Sequence, residues 1–232
     1  MEIFMPRLSP QLHTGDLSAD LHYAYEEEVA VRTCRFHSDT LTGADLPRLD
    51  LSDCSFESCR MTDNELRGIA ADNIVFKDCD LTACRFDGGY FGKAVFIGCR
   101  LTGAVFQDCG FKEVLFEDCM LSYARFSGSK LERVIFRSCP MEQTVFAHAA
   151  LSKTAMEECN LTGADFMHAK LKGMDFTQSR ISGAYFNLPD LKGVTFTPDQ
   201  AVTRSSLIFR NFVMHSSRSP HTVRATGWIS QE

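Results

Sequence analysis

The sequence predicts an all-β solenoid: a chain wound into a four-sided coil of twenty residues per turn, closed at its C-terminal end by a helix. Three observations predict it. Every fifth residue from Phe36 to Phe196 is large and apolar; of these thirty-three positions thirty-two are Phe, Leu, Met or Ile, with Ala71 the exception. All ten cysteines, from Cys34 to Cys159, share the slot two residues earlier, which otherwise holds mostly Ala, Val, Ser or Thr. Residues twenty apart are chemically alike, as in Phe36, Phe56, Phe76, Phe96, Phe116 and Phe136, or Thr42, Thr62, Thr82 and Thr102.

A step of five fits neither a helix of 3.6 residues per turn nor a strand of period two. It becomes intelligible if each pentapeptide forms one side of a square, so that four complete a turn and stack on the turn below. One large and one small residue per five then point inward. Charges test the register independently, because stacked neighbours in a ladder favour opposite signs. Between 34 and 200, spacing twenty gives eleven opposite-sign pairs and three like-sign pairs, among them Glu65 with Arg85, Lys93 with Glu113, Lys112 with Glu132, and Glu117 with Arg137 with Glu157. Two local departures keep the layers filled: Ile69 occupies a small slot where Ala71 occupies the large one, and Gly89 leaves space near Phe91.

The 232 residues divide into an N-terminal cap and leading strand (1–33), the coil (34–200), and a C-terminal helix with a polar tail (201–232). A stacked coil exposes apolar layers at both ends and needs caps. Before Cys34, the alternating Val29 and Val31 read as a strand that pairs with the first coil. At the other end Thr197 is an N-cap, followed by Pro198, Asp199 and Gln200 at the capping-box position. Ala201, Ser205, Ile208, Phe209 and Phe212 then fall on one helical face, and Ile208, Phe209, Phe212 and Val213 are the candidate dimer contact.

Tandem units such as "CRLTG AVFQD CGFKE" and "CNLTG ADFMH AKLKG MDFTQ" resemble the pentapeptide repeat proteins, over roughly residues 34–200. The resemblance implies a right-handed quadrilateral β-helix. The ending "LKGVTFTPDQAV" resembles the Qnr and MfpA-like branch, which implies a dimer through the terminal helix and binding to DNA gyrase or topoisomerase IV as a mimic of duplex DNA, with an effect on quinolone sensitivity. Many Qnr proteins carry loops that interrupt the repeat, whereas this chain counts in fives without a break from 34 to 199.

A hydrophobic content of 44% and a charged content of 23% are ordinary for one globular domain. No window of eighteen apolar residues and no basic start with an apolar run occurs, so no membrane span is expected, the expected location is the cytoplasm, and the thiols are expected to be free. No glycine-rich phosphate loop, HExxH, GxSxG or CxxC is present; no catalytic residue, cofactor or metal is assigned, and the chain is read as non-enzymatic. His148 and His168, twenty apart, give two ligands without a third. Residues 34–120 carry fifteen acidic and nine basic side chains, a net of −6, whereas 121–200 carry eight and nine, a net of +1. That disfavours direct nucleic-acid binding and favours a basic protein partner. The candidate partner-binding surface is Asp45, Asp50, Asp53, Glu57, Asp63, Glu65, Asp78 and Asp80. The alternative is a structural or protein-interaction scaffold with another partner.

Overall fold

The computed structural model describes residues 5–202 and, as backbone, strands at 212–216 and 223–228. Between them the chain forms a parallel β-solenoid. One long sheet runs along one flank of the coil through β3 (Cys34–His37), β4 (Asp50–Glu57), β5 (Ala70–Lys77), β6 (Tyr90–Ile97), β7 (Gly110–Glu117), β8 (Lys130–Arg137), β9 (Ala150–Ser152) and β10 (Ala155–Glu157). Each strand pairs in parallel with the strand one turn on, at a shift of twenty: Phe56 with Phe76, Phe76 with Phe96, Phe96 with Phe116. Single bridges of the same spacing, such as Arg60 with Asp80 and Glu65 with Arg85, tie the turns elsewhere around the coil. Two-residue strands β11 (Asp165–Phe166) and β12 (Tyr185–Phe186) continue this pairing late in the chain.

The backbone explains the count of five. From Phe36 to Leu171 the residue two places after each core position of the period has positive φ, as at Asp53 (55°), Asp63 (61°), Asn73 (56°), Asp78 (53°) and Gly103 (68°). In a strand, alternate side chains point inward. One left-handed residue adds an extra outward position, so inward residues follow one another at steps of two and then three. The left-handed conformation costs ordinary residues about 1–2 kcal/mol each and Gly, Asn or Asp less, which accounts for the Asp, Asn and Gly at many of these corners.

Inside, the phenylalanines stack. Phe116 lies 4.7 Å from Phe96 and 4.9 Å from Phe136 between ring centroids, with interplanar angles of 10° and 5°. Such pairs add about 0.5–1.5 kcal/mol to the burial of the ring itself. The small slot does more than save space. Its side chain donates to the carbonyl of a large residue 23 positions back, joining adjacent turns: Cys79 to Phe56 (3.3 Å), Cys119 to Phe96 (3.3 Å), Asn64 to Leu41 (2.8 Å), Thr144 to Leu121 (3.0 Å) and Ser179 to Met156 (2.9 Å). Small donors suit that slot, which explains both the cysteines and their replacement by Ser, Thr or Asn. All ten cysteines are free thiols and nine are buried, Cys34 being half-buried. Burial pushes the thiols of Cys54 up to about 11 and of Cys84 and Cys109 up to about 12.

Ile69 and Ala71 are both buried, as the volume exchange requires. Gly89 completes it: a Cβ there would lie 2.9 Å from Ile69 Cγ2 one turn below and 2.8 Å from the Phe86 carbonyl oxygen. The oversized residue in one turn is matched by a missing side chain in the next.

The N-terminal end differs in part from expectation. The leading strand is present as β2 (Val31–Arg32), paired with Leu51 and Ser52, but a helix α1 (Leu17–Glu26) precedes it. Asp16 caps this helix by accepting from Ala19 N–H at 2.9 Å, and Leu17, Leu21 and Ala24 face the core. Strand β1 (His13–Thr14) pairs with Cys34 and Arg35.

At the C-terminal end a helix, α2 (Pro198–Val202), starts where the capping signal places it. Thr197 Oγ1 accepts from Gln200 N–H at 3.1 Å, Gln200 Oε1 accepts from Thr197 N–H at 2.8 Å, and Gln200 Nε2 also donates to the carbonyls of Phe176 and Ser179. The long helical face is corrected: Phe212 and Val213 lie on strand β14 (Phe212–Ser216), and the tail contributes strand β15 (Val223–Trp228). Thr195–Phe196, β13, pairs antiparallel with β15, which pairs with β14. The physical reason is the open ladder edge of the last coil, which a hairpin of β-branched and aromatic residues satisfies and a helix cannot. Ile208 and Phe209 lie outside the described residues.

Replacing Phe116 by Ala opens the centre of the ring stack and is expected to cost about 3–5 kcal/mol in urea unfolding, against less than about 0.5 kcal/mol for Tyr123→Ala on the surface. In a thiol titration of the native protein at pH 8, Cys34 is expected to react first, with the other nine reacting only as fast as the chain unfolds; full labelling within minutes without denaturant would contradict the packing described here.

Candidate interaction surface

The outer positions of the coil are columns of residues twenty apart, so a column is the unit from which any surface site is built. Of the eight acidic candidates only Asp45 and Glu65 share a column; the other six occupy six more, distributed around the coil. They do not form one face.

Most are engaged. Asp50 faces Arg32 at 3.5 Å, Glu57 faces His37 Nδ1 at 3.7 Å, Asp45 faces Arg67 at 3.3 Å, and Asp80 faces Arg100 at 3.4 Å. Glu65 sits between Arg67 at 3.0 Å and Arg85 at 3.3 Å. Asp53 Oδ1 accepts from Ser9 N–H and Asn73 Nδ2, both at 2.9 Å. Asp63 and Asp78 have no ion-pair partner among the described residues; both stand at left-handed corners. Exposed pairs of this kind contribute about 0–1 kcal/mol each, so they shape the surface potential more than the stability.

Farther along, Arg137 bridges Glu117 at 2.9 Å and Glu157 at 3.0 Å, and these two carboxylates hold its guanidinium above its usual range. Arg133 takes Glu113, its own column neighbour one turn back, at 2.9 Å and Glu132, the carboxylate that twenty-residue spacing assigns to Lys112, at 2.7 Å. Spacing pairs Glu113 with both Lys93 and Arg133; it does not give the second contact, for which the forked guanidinium of Arg133 reaches into the next column.

The rings of His148 and His168 stack 5.0 Å apart at 19°, and Asn187 Nδ2 lies 3.4 Å from His168 Nδ1. Among the described residues no three potential metal ligands gather, and no helix is long and apolar enough to cross a membrane.

A family model described as "Pentapeptide repeat region" matches residues 69–137 and 129–202, together more than half of the chain. Comparison with curated proteins gives no match. Among solved structures, a trypsin-treated form of QnrB1, a plasmid-mediated fluoroquinolone resistance protein, is 21% identical with a TM-score of 0.41, over 66% of this chain and 82% of that one. HetL, a pentapeptide repeat protein involved in heterocyst differentiation regulation from the cyanobacterium Nostoc, is 17% identical with a TM-score of 0.34, over 76% and 95%. A pentapeptide repeat protein from the Arabidopsis thaliana thylakoid lumen is 17% identical with a TM-score of 0.23, over 53% and 69%. The five-residue register, its stacking at twenty and the family match lead to one conclusion: this chain belongs to the pentapeptide repeat family.

Proposed function

We propose that the chain is a non-enzymatic, cytoplasmic binding protein whose acidic N-terminal half docks on the basic DNA-binding surface of a type II topoisomerase. The observation that carries this reading is charge segregation along a rod: net −6 over residues 34–120 against +1 over 121–200. Eight steps of twenty residues separate Phe36 from Phe196, which at about 4.8 Å per step is about 38 Å, the length of roughly eleven base pairs at 3.4 Å. The free carboxylates Asp63 and Asp78 are the groups best placed to meet partner cations. A homodimer through the C-terminal segment completes the proposal, since β14 is the edge strand of its sheet and can pair across a two-fold axis.

A specific observation favours a second reading. Cross-turn arginines and histidine already engage Asp45, Asp50, Glu57, Glu65 and Asp80, which suits an interaction scaffold with a partner other than a topoisomerase.

In a gyrase supercoiling assay the purified chain at micromolar concentration is expected to alter supercoiling or quinolone poisoning, and Asp63→Lys with Asp78→Lys to weaken that effect about tenfold. No change with the unmodified chain rejects the topoisomerase reading and leaves the scaffold reading. Sedimentation at the same concentration is expected to give the dimer mass.

A further inference from the structure

The chain's own N-terminal segment shows how one flank of the coil holds an extended strand. Arg7 N–H donates to Asn73 Oδ1 at 2.8 Å, Asn73 Nδ2 donates to the Arg7 carbonyl at 3.0 Å, and Ser9 N–H donates to Asp53 Oδ1 at 2.9 Å. Nearer the coil start, His13 and Gly15 donate to the carbonyls of Thr33 and Arg35. The segment therefore climbs the column Thr33, Asp53, Asn73 of left-handed corners, two residues per turn at its outer end, and the corner side chains read its main chain. Pro6 and Pro10 suit such an extended path.

Past Asn73 the column continues as Lys93, Glu113 and Arg133, and no described segment covers it. The surface there is hollow, a cleft of about 480 Å³ around Gly92, lined by Tyr90, by the basic Lys93, Lys112 and Arg133, and by the acidic Asp72 and Glu113. The hollow has a cause in the sequence. Gly92 and Gly110 carry no side chains, and the Asp72 carboxylate and the Tyr90 ring share the space they leave: a Cβ on Gly92 would meet Asp72 Oδ1 and sit 2.9 Å from Tyr90 Oη, and one on Gly110 3.3 Å from the ring. Tyr90 remains 42% exposed, so the cleft has an open aromatic floor. Because Arg133 takes both Glu113 and Glu132, the ammonium groups of Lys93 and Lys112 have no ion-pair partner among the described residues.

We propose that the cleft between Asn73 and Arg133 is a docking track for an extended, acidic segment of a partner protein. Carboxylates of that segment meet Lys93 and Lys112, and an apolar or aromatic side chain lies on Tyr90. Its main chain is read by the corner residues as Asp53 and Asn73 read the chain's own start. Continuity with that intramolecular contact and the two free cations carry the assignment. It goes beyond the topoisomerase reading and does not depend on it, since the docked charge is of the opposite sign and the residues are different.

The test uses fluorescence anisotropy with the full chain and a fluorescein-labelled peptide of sequence Glu-Glu-Phe-Glu-Pro-Glu-Phe-Glu, with a control in which every Glu is Lys. Saturable binding in the micromolar range is expected for the acidic peptide only, weakening on the order of tenfold in Lys93→Ala/Lys112→Ala, severalfold in Tyr90→Ala, and with rising salt. Thermal unfolding of these surface variants is expected to match the unsubstituted chain, separating lost binding from lost fold. Absence of saturable binding, equal binding of the basic control, or binding unchanged by all three substitutions overturns the proposal. So does binding that emerges only after deletion of residues 1–4, which would assign the track to the chain's own start.

Discussion

The parallel ladder that joins each turn to the next governs the whole molecule. Leu81 N–H donates to the Arg100 carbonyl and Arg100 N–H donates back to that of Cys79, so each turn is bonded at offsets of 19 and 21 residues and can lie in one register only. With a left-handed corner in nearly every pentapeptide, this places each inward position beside the equivalent position of the turns above and below. The ring stacks, the donors of the small slot and the outer charge columns follow from that single geometric requirement. An unpaired buried amide costs about 1–3 kcal/mol, so slipping one turn against the next would unsatisfy a whole layer at once.

Most of the coil was legible because its burial pattern is periodic. Phe, Leu and Cys positions report directly which atoms face inward, and every Phe from Phe36 to Phe176 and Phe196 is buried as the period demands, with Phe186 packed against the core at its margin. The ends were less legible because they belong to no period. Leu17, Leu21 and Ala24 carry a helical spacing too short to stand out beside the glutamates that follow, so the N-terminal cap offers no signal for α1 ahead of the strand read at Val29 and Val31. At the other end Ile208, Phe209 and Phe212 fit a helical face on paper, but Phe212 lies in a strand because the open edge of the last coil recruits one. The donors of the small slot were invisible to a reading based on size, although Ser129, Thr144 and Asn64 held the signal: polar residues at positions that must be buried.

The outer surface shows why charge counts alone underdetermine a binding site. The N-terminal half is acidic in sum, yet Arg67, Arg85 and Arg100 already draw in several of its carboxylates, and of the eight candidates Asp63 and Asp78 are the ones whose carboxylates are left without an ion-pair or hydrogen-bond partner among the described residues. In the middle of the rod the reverse holds: one arginine takes two glutamates and releases two lysines beside an exposed tyrosine. Two surfaces of opposite sign, on different columns of one rigid coil, are compatible with a protein that holds more than one partner segment at a time.

Insertion is the most direct measurement of the stacking rule. Duplicating residues 97–116 adds one complete turn, returns every column to its place and is expected to leave a single cooperative unfolding transition at an unchanged or higher midpoint. Duplicating residues 112–116 preserves the count of five but rotates all later columns by one side, and is expected to lower the midpoint sharply or split the transition. Equal tolerance of the five-residue and twenty-residue insertions would contradict a fold held together by neighbours twenty residues apart.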